Sequence, residues 1–193
     1  MANWALTSYL IEGSKKDLER IYNIIDNFMS GRQDPVETGA SGNWEGNILK
    51  TLGATEGQLK NNYLRGFIQE YEMDEGVILI EAEEAWGDTD FRHVLKTLMP
   101  ELTIYFITEE PGCEVYITND ADGKYFPCRF YVQSCIDGNY EEEYFEDETE
   151  AMEYIAPLIG KEKINKADLE AWNKQHEDDY DYVYVHEFEV VDC

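Results

Sequence analysis

Loose alternation of apolar and polar residues over Trp4–Glu12 predicts a strand, which Gly13 and Ser14 close. Ser14-Lys15-Lys16-Asp17 has the spacing of a capping box, with a hydroxyl at the N-cap and a carboxylate at N3. Leu18, Ile21, Tyr22, Ile25, Phe28 and Met29 then recur at helical spacing, so a helix runs to about Ser30-Gly31. Residues 31–46 are rich in Gly, Pro, Ser and Asn and read as a long mobile loop. Ile48, Leu49 and Leu52 suggest a short helix, and a further helical turn fits Thr55–Lys60. Tyr63–Met73 and Val77–Trp86 read as strands joined by the hairpin signal Asp74-Glu75-Gly76. Val77–Ile80 is apolar on both faces, which places that strand inside the sheet. Asp88 or Thr89 can cap a helix with Phe91, Val94, Leu95 and Leu98 on one face, and Pro100 stops it. Strands over Leu102–Thr108 and Cys113–Thr118, turned by Pro111-Gly112, complete this part.

The order of elements, with two helices crossing over an antiparallel sheet, predicts the α+β class and a ferredoxin-like split β-α-β core. Beyond the turn at Asn119–Gly123, Tyr125–Ile136 and Tyr140–Phe145 flank Asp137-Gly138-Asn139, a hairpin signal. Glu148–Ile159 reads as a helix with Ala151, Met152, Ile155 and Ile159 on one face and Pro157 disturbing its end. Asn165–Asp168 caps a short helix carrying Leu169 and Trp172. Tyr180–Val191 reads as a closing strand, with Tyr180, Tyr182, Tyr184, His186, Phe188 and Val190 on one side. The expected organisation is a core over 1–120 and a hairpin-helix-helix-strand extension over 121–193. The extension is expected to pack on the same sheet or continue it, as one globular unit.

Several short motifs resemble the YubB-type ferredoxin-like family, which is uncharacterised and associated with mobile elements. They are Asn3-Trp4, Gly13 ahead of a helix with Asp17 and Leu18, Ala85-Trp86, Pro100-Glu101-Leu102 and Glu110-Pro111-Gly112. The resemblance covers roughly residues 1–120. It implies the fold, supplies no catalytic residues and implies no iron–sulfur cluster.

Charge changes the picture more than composition does. The 193 residues hold 42 Asp+Glu against 15 Lys+Arg, a net charge of −27. The 43% hydrophobic and 13% aromatic content excludes a disordered acidic tail. Residues 1–62 carry 8 acids and 6 bases, whereas residues 63–193 carry 34 acids and 9 bases. Such a surface repels phosphates, so neither direct nucleic-acid binding nor an anionic membrane is expected. No apolar run reaches the roughly 18 residues of a membrane span, and a cytoplasmic location is expected. Cys113, Cys128, Cys135 and Cys193 form no C-x-x-C pair, so they read as free thiols in strands plus one at the C-terminus. No metal site and no cofactor are expected.

Four features could carry chemistry, and each has a plainer reading that we prefer. Asp88 and Asp90 could bind a cation or act in acid/base catalysis, but they stand where a helix needs capping. Asp120, Asp122 and Gly123 resemble a calcium loop, yet the position of the bidentate acid is Arg129, so a turn is expected. Gly39–Asn43 lacks the Lys-Ser/Thr of a phosphate loop. His93, His176 and His186 have no partner in sequence and read as packing or surface residues.

The most unusual stretch is Asn139–Glu150, where tyrosines interleave with acids, followed by the acidic run Glu177, Asp178, Asp179 and Asp181. Rigid tyrosine rings beside carboxylates suit protein recognition. The expected function is therefore a non-enzymatic acidic interaction module for a protein partner of basic character. Contact candidates are Trp86, Tyr140, Glu141, Glu142, Glu143, Tyr144, Tyr180 and Tyr182. The alternatives are a DNA mimic that inhibits a nucleic-acid-binding protein, and a carboxylate-based, metal-dependent enzyme. No catalytic residue is singled out, and the oligomeric state is left open.

Overall fold

The computed structural model describes residues 3–176 and 180–192. The chain divides into two compact units, Met1–Asp120 with Val190–Cys193, and Ala121–Glu189.

The first unit is built on β1 (Trp4–Glu12), α1 (Lys15–Met29), α2 (Gly46–Leu52), α3 (Glu56–Asn61), β2 (Gly66–Asp74), β3 (Val77–Ala85), α4 (Phe91–Leu98), β4 (Thr103–Glu110) and β5 (Val115–Thr118). Its sheet has the order β2-β3-β1-β4-β5-β9, where β9 is Glu189–Val190. β1 lies antiparallel to both β3 and β4, and β2 to β3. Thus β1 and β2 run the same way with β3 between them, and β3 and β4 the same way with β1 between them. This is the split β-α-β arrangement that the order of elements predicts. α1 starts where Ser14 accepts a hydrogen bond from the Asp17 N–H at 3.2 Å. The Asp74–Val77 hairpin turns through Glu75 and Gly76, both at positive φ as a type I′ turn requires.

Alternate residues of the strands face the helices. Tyr9, Ile11, Ile78, Ile80, Ile104 and Phe106 bury against Leu18, Ile21, Ile25, Phe28, Leu49, Phe91 and Leu95 in one core. The strand expected from Cys113 begins at Val115. Pro111–Cys113 forms a 3-10 turn, because proline fixes its own φ and the Glu110 carboxylate accepts the Gly112 N–H at 3.1 Å. Cys113 therefore sits in a turn, and Cys128 ahead of a strand, so of the described cysteines only Cys135 is in a strand; all three are free thiols.

The second unit comprises β6 (Phe130–Ile136), β7 (Asn139–Phe145), α5 (Glu148–Leu158), α6 (Lys166–His176) and β8 (Tyr182–Glu187). Its antiparallel sheet has the order β7-β6-β8 and is separate from the first. The extension therefore builds a sheet of its own, and only β9 pairs within the first sheet. The cause is a second apolar core, in which Phe130, Val132 and Val183 bury against Ala151, Met152, Ile155, Ile164 and Leu169.

Asp137 and Gly138, at φ 52° and 76°, turn the β6–β7 hairpin. Asn165 and Asp168 cap α6 reciprocally, each side chain accepting the other's N–H at 3.1 Å. The strand expected from Tyr125 starts only at Phe130, after Pro127, which has no N–H to offer a ladder. The closing strand is broken at Phe188, whose ring is buried and whose N–H bonds the Arg129 carbonyl at 2.8 Å. Phe188 thus leaves the face expected for it. Among the described residues no helix is long and apolar enough to cross a membrane.

Candidate functional site

Strand register decides which side chains share a face of the second sheet. Tyr144, Tyr131 and His186 lie opposite one another in one row, Glu142, Gln133 and Tyr184 in the next, and Tyr140, Cys135 and Tyr182 in the third. The other parity, with Phe130, Val132 and Val183, is spent on the core under α5 and α6. The open face therefore holds five tyrosines and a histidine around one carboxylate, with Tyr131 itself buried, and none of its nine positions is Lys or Arg.

The rings pack together. Tyr131 lies 4.9 Å from Tyr144 and 5.9 Å from His186 between ring centroids. Tyr182 and Tyr184 stack at 5.0 Å, and Tyr184 lies 6.4 Å from His186. Contacts at such separations fix the rings in place and lower the entropy that a ligand would otherwise have to remove. Tyr140, Tyr144 and Tyr184 remain 52%, 44% and 49% exposed. The hydroxyls of Tyr131 and Tyr140 both donate to Glu142 Oε1, and Gln133 donates to the Tyr140 oxygen. These bonds hold the Glu142 carboxyl below its usual range, so it stays ionised. Burial, and then the bond to Glu142, raise the Tyr131 hydroxyl well above the ordinary tyrosine value.

Of the residues expected to make contact, this face gathers Tyr140, Glu142, Tyr144 and Tyr182. Glu141 and Glu143 have the opposite parity, and Glu141 accepts the Tyr154 hydroxyl of α5 at 3.2 Å. Tyr180 lies ahead of β8, at positive φ and 85% exposed. Trp86 belongs to the first unit, where its ring faces the Arg65 guanidinium at 5.1 Å. Glu177, Asp178 and Asp179 of the acidic run lie outside the described residues; Asp181 accepts the Asp137 N–H at 3.0 Å. Tyr131, Gln133, Cys135, Tyr184 and His186 complete the face. The alternation of the closing strand was the signal for Tyr184 and His186, and Asp137-Gly138 fixed the register for Tyr131 and Gln133.

The first unit holds a polar cluster that no motif announces. Glu45 and Glu84 are both buried, Glu45 Oε1 has no hydrogen-bond partner among the described residues, and the Glu84 carboxylate acts on Glu45 through its charge. Glu84 also accepts from Thr7 and Tyr9, each at 2.7 Å, and from Thr89 at 2.8 Å. Burial raises both carboxyls. Glu84 has the donors that favour its ionised form, so Glu45 is the one of the two that keeps a proton. The loop before α2 delivers Glu45, and the absence of a side chain at Gly66 admits it: a Cβ there would lie 2.0 Å from Glu45 Oε2.

The same loop is tied down rather than mobile. Asn47 donates to Ser41 and Gly42 carbonyls, and Trp44 Nε1 donates to the Leu64 carbonyl at 2.6 Å. Asp88 pairs with Arg92, while Asp90 accepts the Tyr63 N–H at 2.7 Å. It is Thr89 that accepts an N–H of the first helical turn, from Phe91 at 3.3 Å. Among the described residues no group of three or more His, Cys, Asp or Glu could hold a metal ion. Comparison with family models, curated proteins and solved structures finds no match to this chain.

Proposed function

We propose that the chain is a protein-recognition module whose second unit binds a basic, arginine-bearing segment of a partner on the open face of the β7-β6-β8 sheet. The observation that carries this reading is the packed set of Tyr131, Tyr140, Tyr144, Tyr182, Tyr184 and His186 around ionised Glu142, with neither Lys nor Arg at any of the nine strand positions. A guanidinium stacks on tyrosine rings and pairs with a carboxylate, and each such contact contributes about 0.5–2 kcal/mol. The surrounding charge favours the same partner, since residues 121–189 hold 19 Asp+Glu and 6 Lys+Arg. A cytoplasmic location agrees with a chain of this composition and forms part of the same proposal.

The test is binding of the full chain to an Arg-Gly repeat peptide and to its citrulline counterpart, followed by calorimetry and by amide chemical shifts. The arginine peptide should bind and move Gln133, Glu142 and Tyr184, and added salt should weaken it. Glu142→Gln and Tyr184→Ala should each weaken binding by about tenfold. Equal binding of the citrulline peptide, or affinity unchanged in both variants, would defeat the proposal.

A further inference from the structure

A cleft of about 330 Å³ in the first unit lies between α4 and the start of β4, lined by Arg92, His93, Lys96, Thr97, Thr103 and Ile104. Three of those six residues are basic and none is acidic, in a chain that carries 42 acids and 15 Lys+Arg. The three side chains are placed by helical geometry, since positions 92, 93 and 96 lie close together on α4.

Arg92 is the anchor. Its side chain is only 7% exposed, its guanidinium lies 4.0 Å above the Phe106 ring, and Nη1 pairs with Asp88. One face and one edge of the guanidinium are thereby fixed. Its buried Nε has no hydrogen-bond partner among the described residues. An unmatched buried donor costs on the order of 1–3 kcal/mol. Lys96 Nζ donates to the Leu102 carbonyl, so two of its three N–H groups are left over. His93 Nδ1 faces Asp90 at 3.6 Å, and its second ring nitrogen is distinct from that contact. The Thr97 hydroxyl is used on the His93 carbonyl, whereas Thr103 brings a hydroxyl from the strand side.

We propose that this cleft is a binding site for a small phosphate-bearing molecule, held by Arg92, His93, Lys96 and Thr103. Donors arriving from both a helix and a strand suit the three free oxygens of a tetrahedral phosphate better than the two of a planar carboxylate. The volume accommodates a small metabolite. The net charge does not forbid it: Asp88 and Asp90 stand beside Arg92 and His93, but exposed acids beyond about 8–10 Å are screened at physiological salt while Arg92 and Lys96 act at contact distance. The site is independent of the face on the second sheet.

Titration of the full chain with sodium phosphate, read by amide chemical shifts at constant ionic strength, tests the proposal, with sodium chloride and sodium acetate as the other arms. Phosphate should produce saturable shifts confined to residues 92–97 and 103–104. Lys96→Gln, on an exposed helix face of the cleft, should weaken phosphate at least about tenfold, and Thr103→Val a few-fold, with the other amides unmoved. Three results would overturn the site: phosphate acting no differently from chloride, shifts spread over Lys15 and Lys16, or Lys96→Gln binding as well as the parent. Acetate saturating the same amides with equal affinity would overturn the assignment to phosphate.

Discussion

Glu45→Gln should flatten the dependence of stability on pH in the first unit. Glu45 is buried against Glu84, and burial followed by the neighbouring carboxylate raises its folded pKa. Free in the unfolded chain, it ionises near pH ~4.3. Between that value and the folded one, the native state holds a proton that the unfolded state has released. Stability therefore falls as pH rises through this window, by about 1.4 kcal/mol per pH unit. A glutamine reproduces the protonated shape: its amide N–H can donate to the Thr89 hydroxyl oxygen, which lies 3.0 Å from Glu45 Oε2, while the Thr89 proton goes to Glu84 at 2.8 Å. The variant should thus match the parent within about 0.5 kcal/mol near pH 4 and exceed it increasingly as the pH is raised to 8.

Urea melts followed by tryptophan fluorescence suit the measurement. Trp4, Trp44 and Trp86 report on the first unit, and a Trp172→Phe background silences the second. The overall charge of −27 also loosens the fold as pH rises, but equally in parent and variant, so the difference isolates Glu45. Parallel stability–pH curves for the two proteins would refute a protonated Glu45 in the folded state.

Gly66→Ala drives a Cβ to 2.0 Å from Glu45 Oε2, so it should destabilise the first unit by roughly 1–3 kcal/mol, and a loss under about 0.5 kcal/mol would show that the pair is loosely held. Gly138→Ala meets no atom within 4 Å but must hold φ at 76°, so a conformational cost of about 1 kcal/mol should appear in the melting of the second unit. Tyr9 is raised by burial and then by Glu84 and Glu45, and Tyr131 by burial and then by Glu142, so both should stay neutral after ordinary tyrosines ionise near pH ~10. Absorbance at the phenolate band should then show the same early amplitude in Tyr9→Phe and Tyr131→Phe as in the parent.

Much of the fold was legible in local patterns. The period of Leu18, Ile21, Ile25 and Phe28, the Ser14 cap and the two acid-Gly turns each act over a few residues, and the structure keeps all of them. The interleaved tyrosines and acids of Asn139–Phe145 and the alternation of Tyr182, Tyr184 and His186 also marked two-thirds of the candidate face. The break at Phe188 was not legible, because it arises from a bond to Arg129 nearly sixty residues upstream in the chain.

The sequence by itself thus determined the α+β class, the element order and the uneven charge, since propensity, capping and turn chemistry are local. Tertiary structure alone decided three things. It separated Glu142 from Glu141 and Glu143, because pairing parity sends neighbours to opposite faces of a sheet. It set the extension apart as a second sheet, because burial depends on which apolar faces meet. It brought Glu45 from a loop against Glu84 of a strand, where desolvation raised two unremarkable carboxyls. Dielectric surroundings and hydrogen-bond partners are properties of the folded neighbourhood, and no spacing along the chain encodes them.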